Sequence, residues 1–256
     1  MYFDSHAHLE DKQFDEDREQ LIAKAKEEEI ELIVDPGSDL LSSKAALALA
    51  EKYDFIYAAV GIHPEEARDI TEDTYQELKQ LAKNSKVVAI GEIGLDYHYE
   101  DNPPREVQKE VFQRQIQMAS KLNMPIIVHN REAHGDTYGI LEKYFDKESG
   151  GVMHSYSGSV EMAKKFIALG LYLSISGPVT FKNAKKNVEV VREIPLEYLL
   201  IETDSPYLTP VPFRGKKNHP AMVQYVAQKI AEIKNISVEE VAEKTKENAK
   251  RLFGIS

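Results

Sequence analysis

The 256-residue chain predicts an α/β fold, a single (β/α)8 barrel of the TIM type spanning residues 1–256. Three observations predict it. Strand-like and helix-like segments alternate from end to end. Several strand-like runs are almost continuously apolar, as parallel strands buried on both faces must be. The length matches the roughly 250 residues that such a barrel occupies. An open doubly wound sheet is the competing arrangement.

The strand-like runs fall at residues 2–8, 31–35, 55–62, 87–91, 125–129, 151–154, 171–175 and 198–203. Leu32-Ile33-Val34, Ile126-Ile127-Val128 and Leu199-Leu200-Ile201 are apolar throughout. Between the runs, apolar residues recur at helical spacing. They are Leu21, Ile22 and Ala25 after the first run; Ala45, Leu49 and Ala50 after the second; and Tyr75, Leu78 and Leu81 after the third. Val111, Gln115, Met118 and Leu122 follow the fourth, Ile140, Leu141 and Tyr144 the fifth, and Met162, Phe166 and Leu169 the sixth. Two helices close the chain. One covers about 220–234; the other starts at Ser237, where Glu240 completes a capping-box pattern, and stops near Gly254. No repeat or linker interrupts the alternation. Asp101-Asn-Pro-Pro104 and Pro210-Val-Pro212 follow strands that carry polar residues, and they read as active-site loops.

The chain has no cysteine, so a disulfide or thiolate metal site is excluded and any metal must be held by His, Asp and Glu. No apolar run approaches the roughly 20 residues needed to span a bilayer, and the N-terminus lacks a signal pattern. A cytoplasmic protein without a membrane partner is therefore expected. Thirty-two Lys and Arg stand against 43 Asp and Glu, a net charge of −11. That balance argues against a broad basic face for duplex DNA. It leaves room for a nuclease that grips a short stretch of strand through metal ions and a few local cations.

A barrel of this kind carries its active site at the C-terminal ends of the strands. Asp4, His6 and His8 share one face of the first strand, and the two imidazoles either converge on an ion or bond to their surroundings. The other strand ends offer His63, Glu92, His129, His154, Glu202 and Asp204, with Asp35 and Ser176 ending strands two and seven. Five of the eight histidines gather at this register, which surface scatter would not produce. Glu92 lies between Gly91 and Gly94, expected to let the backbone approach a metal or substrate. His129 and Asp204 follow apolar runs, where an unpaired polar group is costly. His154 is a ligand or a satisfied core histidine. Glu202 shares a face with Asp204 and is expected to support the site from behind.

Seven segments occur in a telling order. They are Phe-Asp-Ser-His-Ala-His-Leu9, Gly-Ile-His-Pro64, Gly-Glu-Ile-Gly-Leu-Asp-Tyr97, Pro-Ile-Ile-Val-His-Asn-Arg-Glu-Ala133, His-Ser-Tyr-Ser-Gly158, Glu-Thr-Asp-Ser-Pro-Tyr-Leu208 and Arg-Gly-Lys-Lys-Asn-His-Pro220. Together they resemble the motif series of the TatD family of metal-dependent hydrolases, amidohydrolase-like barrels whose characterised members are described as deoxyribonucleases. The resemblance implies two divalent ions held by His6, His8, Glu92, His129, His154 and Asp204, with Glu92 bridging. It places His63 beside them, in substrate binding or catalysis. Two positions depart from the family pattern: His219 stands where Glu is common, and Tyr156 where Phe is common.

The expected reaction is phosphodiester hydrolysis at a two-metal site, with Asp204, Glu92 and His63 as catalytic residues and Asp204 accepting or orienting the proton of water. Arg131 is the expected phosphate clamp, and Arg214, Lys216 and Lys217 form a basic cluster expected on the active-site side. Tyr97, Tyr99, Tyr156 and Tyr207 offer stacking faces for the bases of a single-stranded end. The imidazoles favour Zn, Mn, Ni or Co over Mg by ligand softness, whereas the resemblance implies Mg or Mn for activity. A nucleic-acid substrate and no obligate protein partner are expected. Three alternatives stay open: a small-molecule ester, lactone or amide hydrolase of the same superfamily, an aminoacyl-tRNA ester deacylase, and a non-catalytic metal-binding module. The phosphotriesterase branch of that superfamily commonly places a carboxylated Lys where this chain has Glu92, which disfavours the first.

Overall fold

The computed structural model describes residues 1–255, and its eight strands fall where the apolar runs predict them. They are β1 (Tyr2–Asp4), β2 (Ile30–Pro36), β3 (Ile56–Val60), β4 (Val87–Asp96), β5 (Ile126–Arg131), β6 (Gly151–Met153), β7 (Leu171–Ile175) and β8 (Leu199–Ile201). All neighbours pair in parallel, in chain order from β1 to β8. The helices are α1 (Arg18–Glu27), α2 (Leu40–Lys52), α3 (Glu72–Leu81), α4 (Arg105–Leu122), α5 (His134–Tyr144), α6 (Val160–Ala168), α7 (Lys185–Glu193), α8 (Val223–Lys234) and α9 (Val238–Phe253). Successive strand–helix–strand crossovers of one hand curl such a sheet into a barrel.

Closure is what separates this architecture from an open sheet. Between β8 and β1 the ladder is replaced by individual bonds: Ser5 N–H donates to Ile201 O at 3.1 Å, Asp204 N–H to His6 O at 2.9 Å and His8 N–H to Ser205 O at 2.8 Å. The Asp4 side chain completes the seam. Its carboxyl is fully buried and accepts from Thr203 N–H at 2.8 Å and from the Thr203 hydroxyl at 2.6 Å. Burial raises the pKa of Asp4 well above the usual carboxylate range, against the effect of these bonds. Asp4 therefore belongs to the seam and not to the histidine face expected of it. The same seam explains why β1 stops at Asp4 instead of running to residue 8.

The barrel interior explains how the site is placed. One apolar cluster gathers Phe3, Val34, Ala59, Ala89, Ile127, Val152 and Leu200 from around the sheet, and Leu252, Phe253 and Ile255 from the end of α9 cap it. Side chains alternate along a strand, so the next inward residue toward the C-terminal end lies two positions on. Ile127 is thus followed by His129, Val152 by His154 and Leu200 by Glu202. A dry floor changes into a polar mouth within one inward step. Helix α9 begins as the pattern predicts, with Ser237 Oγ accepting from Glu240 N–H at 3.1 Å, and ends at Gly254 in the left-handed region. Helix α8 starts at Val223, after a short turn over Pro220–Met222, slightly later than its apolar spacing implies.

Asp4→Ala leaves the Thr203 amide and hydroxyl without an acceptor in a buried seam. We expect a loss of about 2–4 kcal/mol in unfolding free energy, and a smaller loss for Asp4→Asn. Urea denaturation checks this; an unchanged midpoint for the alanine variant would contradict the assignment of the seam.

Candidate metal centre

The end of β4 carries the centre of the site. Glu92 is 3% exposed and lies inside the strand, because β4 continues to Asp96 instead of ending at Gly91. Its neighbours allow this. A Cβ at Gly91 would come within 2.6 Å of Ile127 Cβ, and one at Gly94, where φ is +150°, within 1.9 Å of His129 O. These glycines let β4 lie against β5; the close approach expected toward a metal or substrate is instead toward the neighbouring strand.

The two oxygens of Glu92 face two different sets of imidazoles. Oε2 lies 3.2 Å from His6 Nε2 and 3.5 Å from His8 Nε2. Asp204 Oδ1 lies 3.7 Å from each of those nitrogens, which are themselves 3.1 Å apart. Oε1 lies 2.7 Å from His129 Nδ1, 3.4 Å from His154 Nε2 and 3.6 Å from His63 Nε2. Donors bound to one ion at about 2.1 Å sit roughly 3.0–3.4 Å from one another. The separations around Glu92 are close to that spacing, and no lysine or arginine stands among these groups. The donor set therefore fits divalent cations, with Glu92 shared between His6 and His8 on one side and His129 on the other; His63 lies within reach of Glu92 and His129, and a further group joins His6, His154 and Glu202.

Contacts behind the rings decide which nitrogen each imidazole turns inward. His8 Nδ1 lies 3.0 Å from Pro36 O, which can only accept, so Nδ1 carries the proton and Nε2 keeps its lone pair. His129 Nε2 donates to Asp96 Oδ2 at 3.0 Å, leaving Nδ1 for Glu92 and its surroundings. His154 Nδ1 makes an ion-pair contact with Glu202 Oε1 at 2.8 Å, and Ser155 N–H donates to the same oxygen at 2.9 Å. His63 is the opposite case: its Nδ1 accepts from Glu65 N–H at 3.3 Å, so the neutral ring presents Nε2–H to the site. His63 is thus disposed as a hydrogen-bond donor, where His8, His129 and His154 turn inward the nitrogen that binds a cation once its proton is displaced.

Charge follows the same geometry. Burial, helped by nearby His129, lowers the pKa of His63 to about 3 and keeps it neutral. Burial also acts against protonation of His154, but Glu202, Glu92 and Asp204 outweigh it and raise its pKa to about 10. Burial would raise the Glu92 pKa, yet the surrounding His154, His6 and His63 hold it well below the usual range. Asp204 is the exception among these carboxyls, with burial leaving its pKa raised.

A family model described as "TatD related DNase" matches residues 3–254. The chain belongs to the TatD family. It is 53% identical to a metal-dependent hydrolase, YabD of Bacillus subtilis, with all of both chains covered. It is 40% identical to the metal-dependent hydrolase YcfH of Escherichia coli, over 98% of this chain and 95% of that one. Among solved structures, YjjV, a TatD homologue from E. coli, superposes with a TM-score of 0.93 at 30% identity, covering 100% of this chain and 98% of that one. This TatD chain is a member of a metal-dependent hydrolase family, and its buried His, Glu and Asp clusters are of the kind that holds metal.

Above the cluster opens a cleft of about 980 Å³. His8, His63, Glu92, His129, His154 and Asp204 line it, as does Arg131, whereas His6 lies fully buried beneath. Arg214, Lys216 and Lys217 are not among its lining residues, contrary to the expected basic cluster. The loop after β8 folds away toward α1: Lys217 Nζ donates to Gln13 O and Asp17 Oδ1, both at 2.7 Å, and Arg214 lies over the Phe181 ring. Buried Asn218 ties that loop down through Thr203 O and Tyr207 O. Of the four tyrosines, Tyr99 and Tyr207 line the cleft. Tyr97 is engaged with Asp136, and Tyr156 is buried with its hydroxyl donating to Ser159 O. His219 lies outside the cleft lining, with Nε2 3.4 Å from Lys24 Nζ. Asp35 is buried and accepts from Leu9 N–H, supporting the loop after β1.

Asp96, within the segment Gly-Glu-Ile-Gly-Leu-Asp-Tyr97, has a role that nothing in its local sequence signals. Only its distance to His129 reveals it. We expect Asp96→Ala to lower divalent-metal affinity about 10–100-fold while the protein stays folded. Titration of metal-stripped protein with Mn²⁺, alongside circular dichroism, measures both.

Proposed function

We propose that this TatD-family hydrolase cleaves phosphodiester bonds at nucleic-acid ends, holding two divalent ions in the cluster around Glu92. The observation that carries the reading is the division of Glu92 between two sets of nitrogen donors. His6, His8, Asp204 and Glu92 Oε2 would hold one ion, and His129, His154 and Glu92 Oε1 the other. Four imidazoles suit Zn, Mn, Ni or Co as bound ions, and Mg or Mn is proposed for activity. When bound, the ions supply a lowered pKa for water and positive charge opposite the phosphoryl oxygens.

The chain's own residues do the rest. Asp204 accepts the proton of the attacking water, its carboxyl lying beside the His6 and His8 pair. The bond from Asp204 N–H to His6 O fixes that carboxylate over the His6 and His8 pair. His63 Nε2–H donates to an oxygen of the substrate. Arg131 grips a non-bridging phosphate oxygen, as the one lysine or arginine lining the cleft among the described residues. A second reading has its own support: carboxylates outnumber cations around the cleft, which favours a small neutral ester over a polyanion.

An end-labelled single-stranded oligonucleotide distinguishes them. Metal-stripped protein should be inactive, Mn²⁺ or Mg²⁺ should restore cleavage, and Glu92→Gln should abolish it. Absence of cleavage by metal-loaded wild type, with turnover of a simple carboxylic ester, would favour the second reading. Arg131→Ala should lower kcat/KM for a phosphodiester by about tenfold or more with metal content unchanged. Loss of bound metal in that variant would show that its role is different.

A further inference from the structure

The rim of the cleft has a charge and a shape that the metal cluster does not require. Glu65, Glu66 and Asp101 stand exposed on the side of β3 and β4, and Asp11 lies on the side of β1. Among the described residues lining the cleft the one cation opposed to them is Arg131, whose guanidinium lies 4.9 Å over the Tyr99 ring and donates to its hydroxyl at 3.2 Å; Arg68, outside the lining, donates to Asp101 O. Tyr99 follows β4 and Tyr207 follows β8, strands on opposite sides of an eight-stranded barrel. Both are 47% exposed. Tyr207 is fixed by donating to Asp11 Oδ2 at 2.6 Å. The cleft volume of about 980 Å³ sits at the upper end of the range for small-molecule sites, roughly 300–1,000 Å³.

A channel for long single strands combines stacking aromatics with a positively charged groove that tracks the backbone. Here the aromatics are present and the basic groove is replaced by carboxylates. One phosphate can be accommodated at Arg131. Each further phosphate would pass over a rim carrying Asp11, Glu65, Glu66 and Asp101, whose charges act over a Debye length of about 10 Å at 0.1 M salt.

We propose that the cleft selects very short oligonucleotides, of about two or three residues, over long single strands. Tyr99 and Tyr207 hold the bases flanking the scissile bond, Arg131 holds its phosphate, and the acidic rim repels the backbone of anything longer. The inference rests on the phosphodiesterase reading above. It also places the enzyme after other nucleases, since short fragments are what endonucleolytic or processive degradation leaves.

The sign of the salt dependence tests it. A nuclease that grips many phosphates loses activity steeply as salt rises. For this protein, kcat/KM is measured on a dinucleotide and on an oligonucleotide of about 20 residues at constant Mn²⁺, from about 0.05 M to about 0.3 M salt. The expected result is at least a tenfold preference for the dinucleotide at low salt, with cleavage of the longer strand rising several-fold as salt screens the rim. The triple substitution Glu65→Gln, Glu66→Gln, Asp101→Asn should raise the long-to-short ratio several-fold at low salt, and Tyr99→Ala should raise KM for the dinucleotide more than it lowers kcat. Preference for the long strand, or a fall in its cleavage with salt, would overturn the inference while leaving the phosphodiesterase reading intact. Cleavage of neither substrate by metal-loaded protein would overturn that reading itself, and this inference with it.

Discussion

The site depends on one buried carboxylate being held in the centre of the barrel mouth. Glu92 is almost inaccessible, so its charge must be met by neighbours and not by water. Those neighbours come from β3, β5 and β6 and from the segment after β1. They can all reach it because β4 crosses close to β5, where Gly91 and Gly94 leave no Cβ between the strands. A side chain at either position would push the sheets of the wall apart and with them the two faces of Glu92. The glycine pair is therefore a packing requirement whose consequence is chemical.

Around that carboxylate the imidazoles are oriented from behind. Pro36 O, Asp96 and Glu202 each take the outer nitrogen of a histidine, so the inner nitrogen of His8, His129 and His154 is the one left for a cation. Glu65 N–H does the reverse to His63. Four histidines of the same intrinsic chemistry are sorted into three donors for a cation and one donor of a proton. The apolar interior below, sealed by Leu252, Phe253 and Ile255, keeps the strand ends from moving relative to one another. Rigid elements of this kind hold functional groups more closely than loops do.

The barrel accounts for the floor of the cleft better than for its rim. The floor is built by strands and their immediate ends, which the barrel constrains tightly. The rim is built by the loops after β1, β3, β4 and β8, which the barrel only anchors. Asp11, Glu65, Glu66 and Asp101 lie on those loops, and so do the two exposed tyrosines. One scaffold can thus keep a metal floor while the loops adjust what enters it.

The barrel was legible because its signals are local. Apolar runs such as Ile126–Val128, helical spacing such as Met162 and Phe166, and a cap such as Ser237 report their own segment. The clustering of His6, His8, Glu92, His129 and Asp204 was legible once the strand ends were aligned, since period two along a strand carries each side chain inward or outward. The first strand is shorter than its pattern implies, because Asp4 serves a seam with Thr203, 199 residues away. The direction of the basic run Arg214 to Lys217 is not legible locally, because sequence shows charge and not direction. Lys217 turns to Asp17, and the role of Asp96 is hidden locally because its partner His129 is 33 residues distant. The sequence by itself determined which residues are strands, which face inward and which chemical types gather at one end. Only the tertiary structure decided which nitrogen of each ring faces the centre and which charges face the cleft, because those choices depend on contacts between residues that the chain keeps far apart.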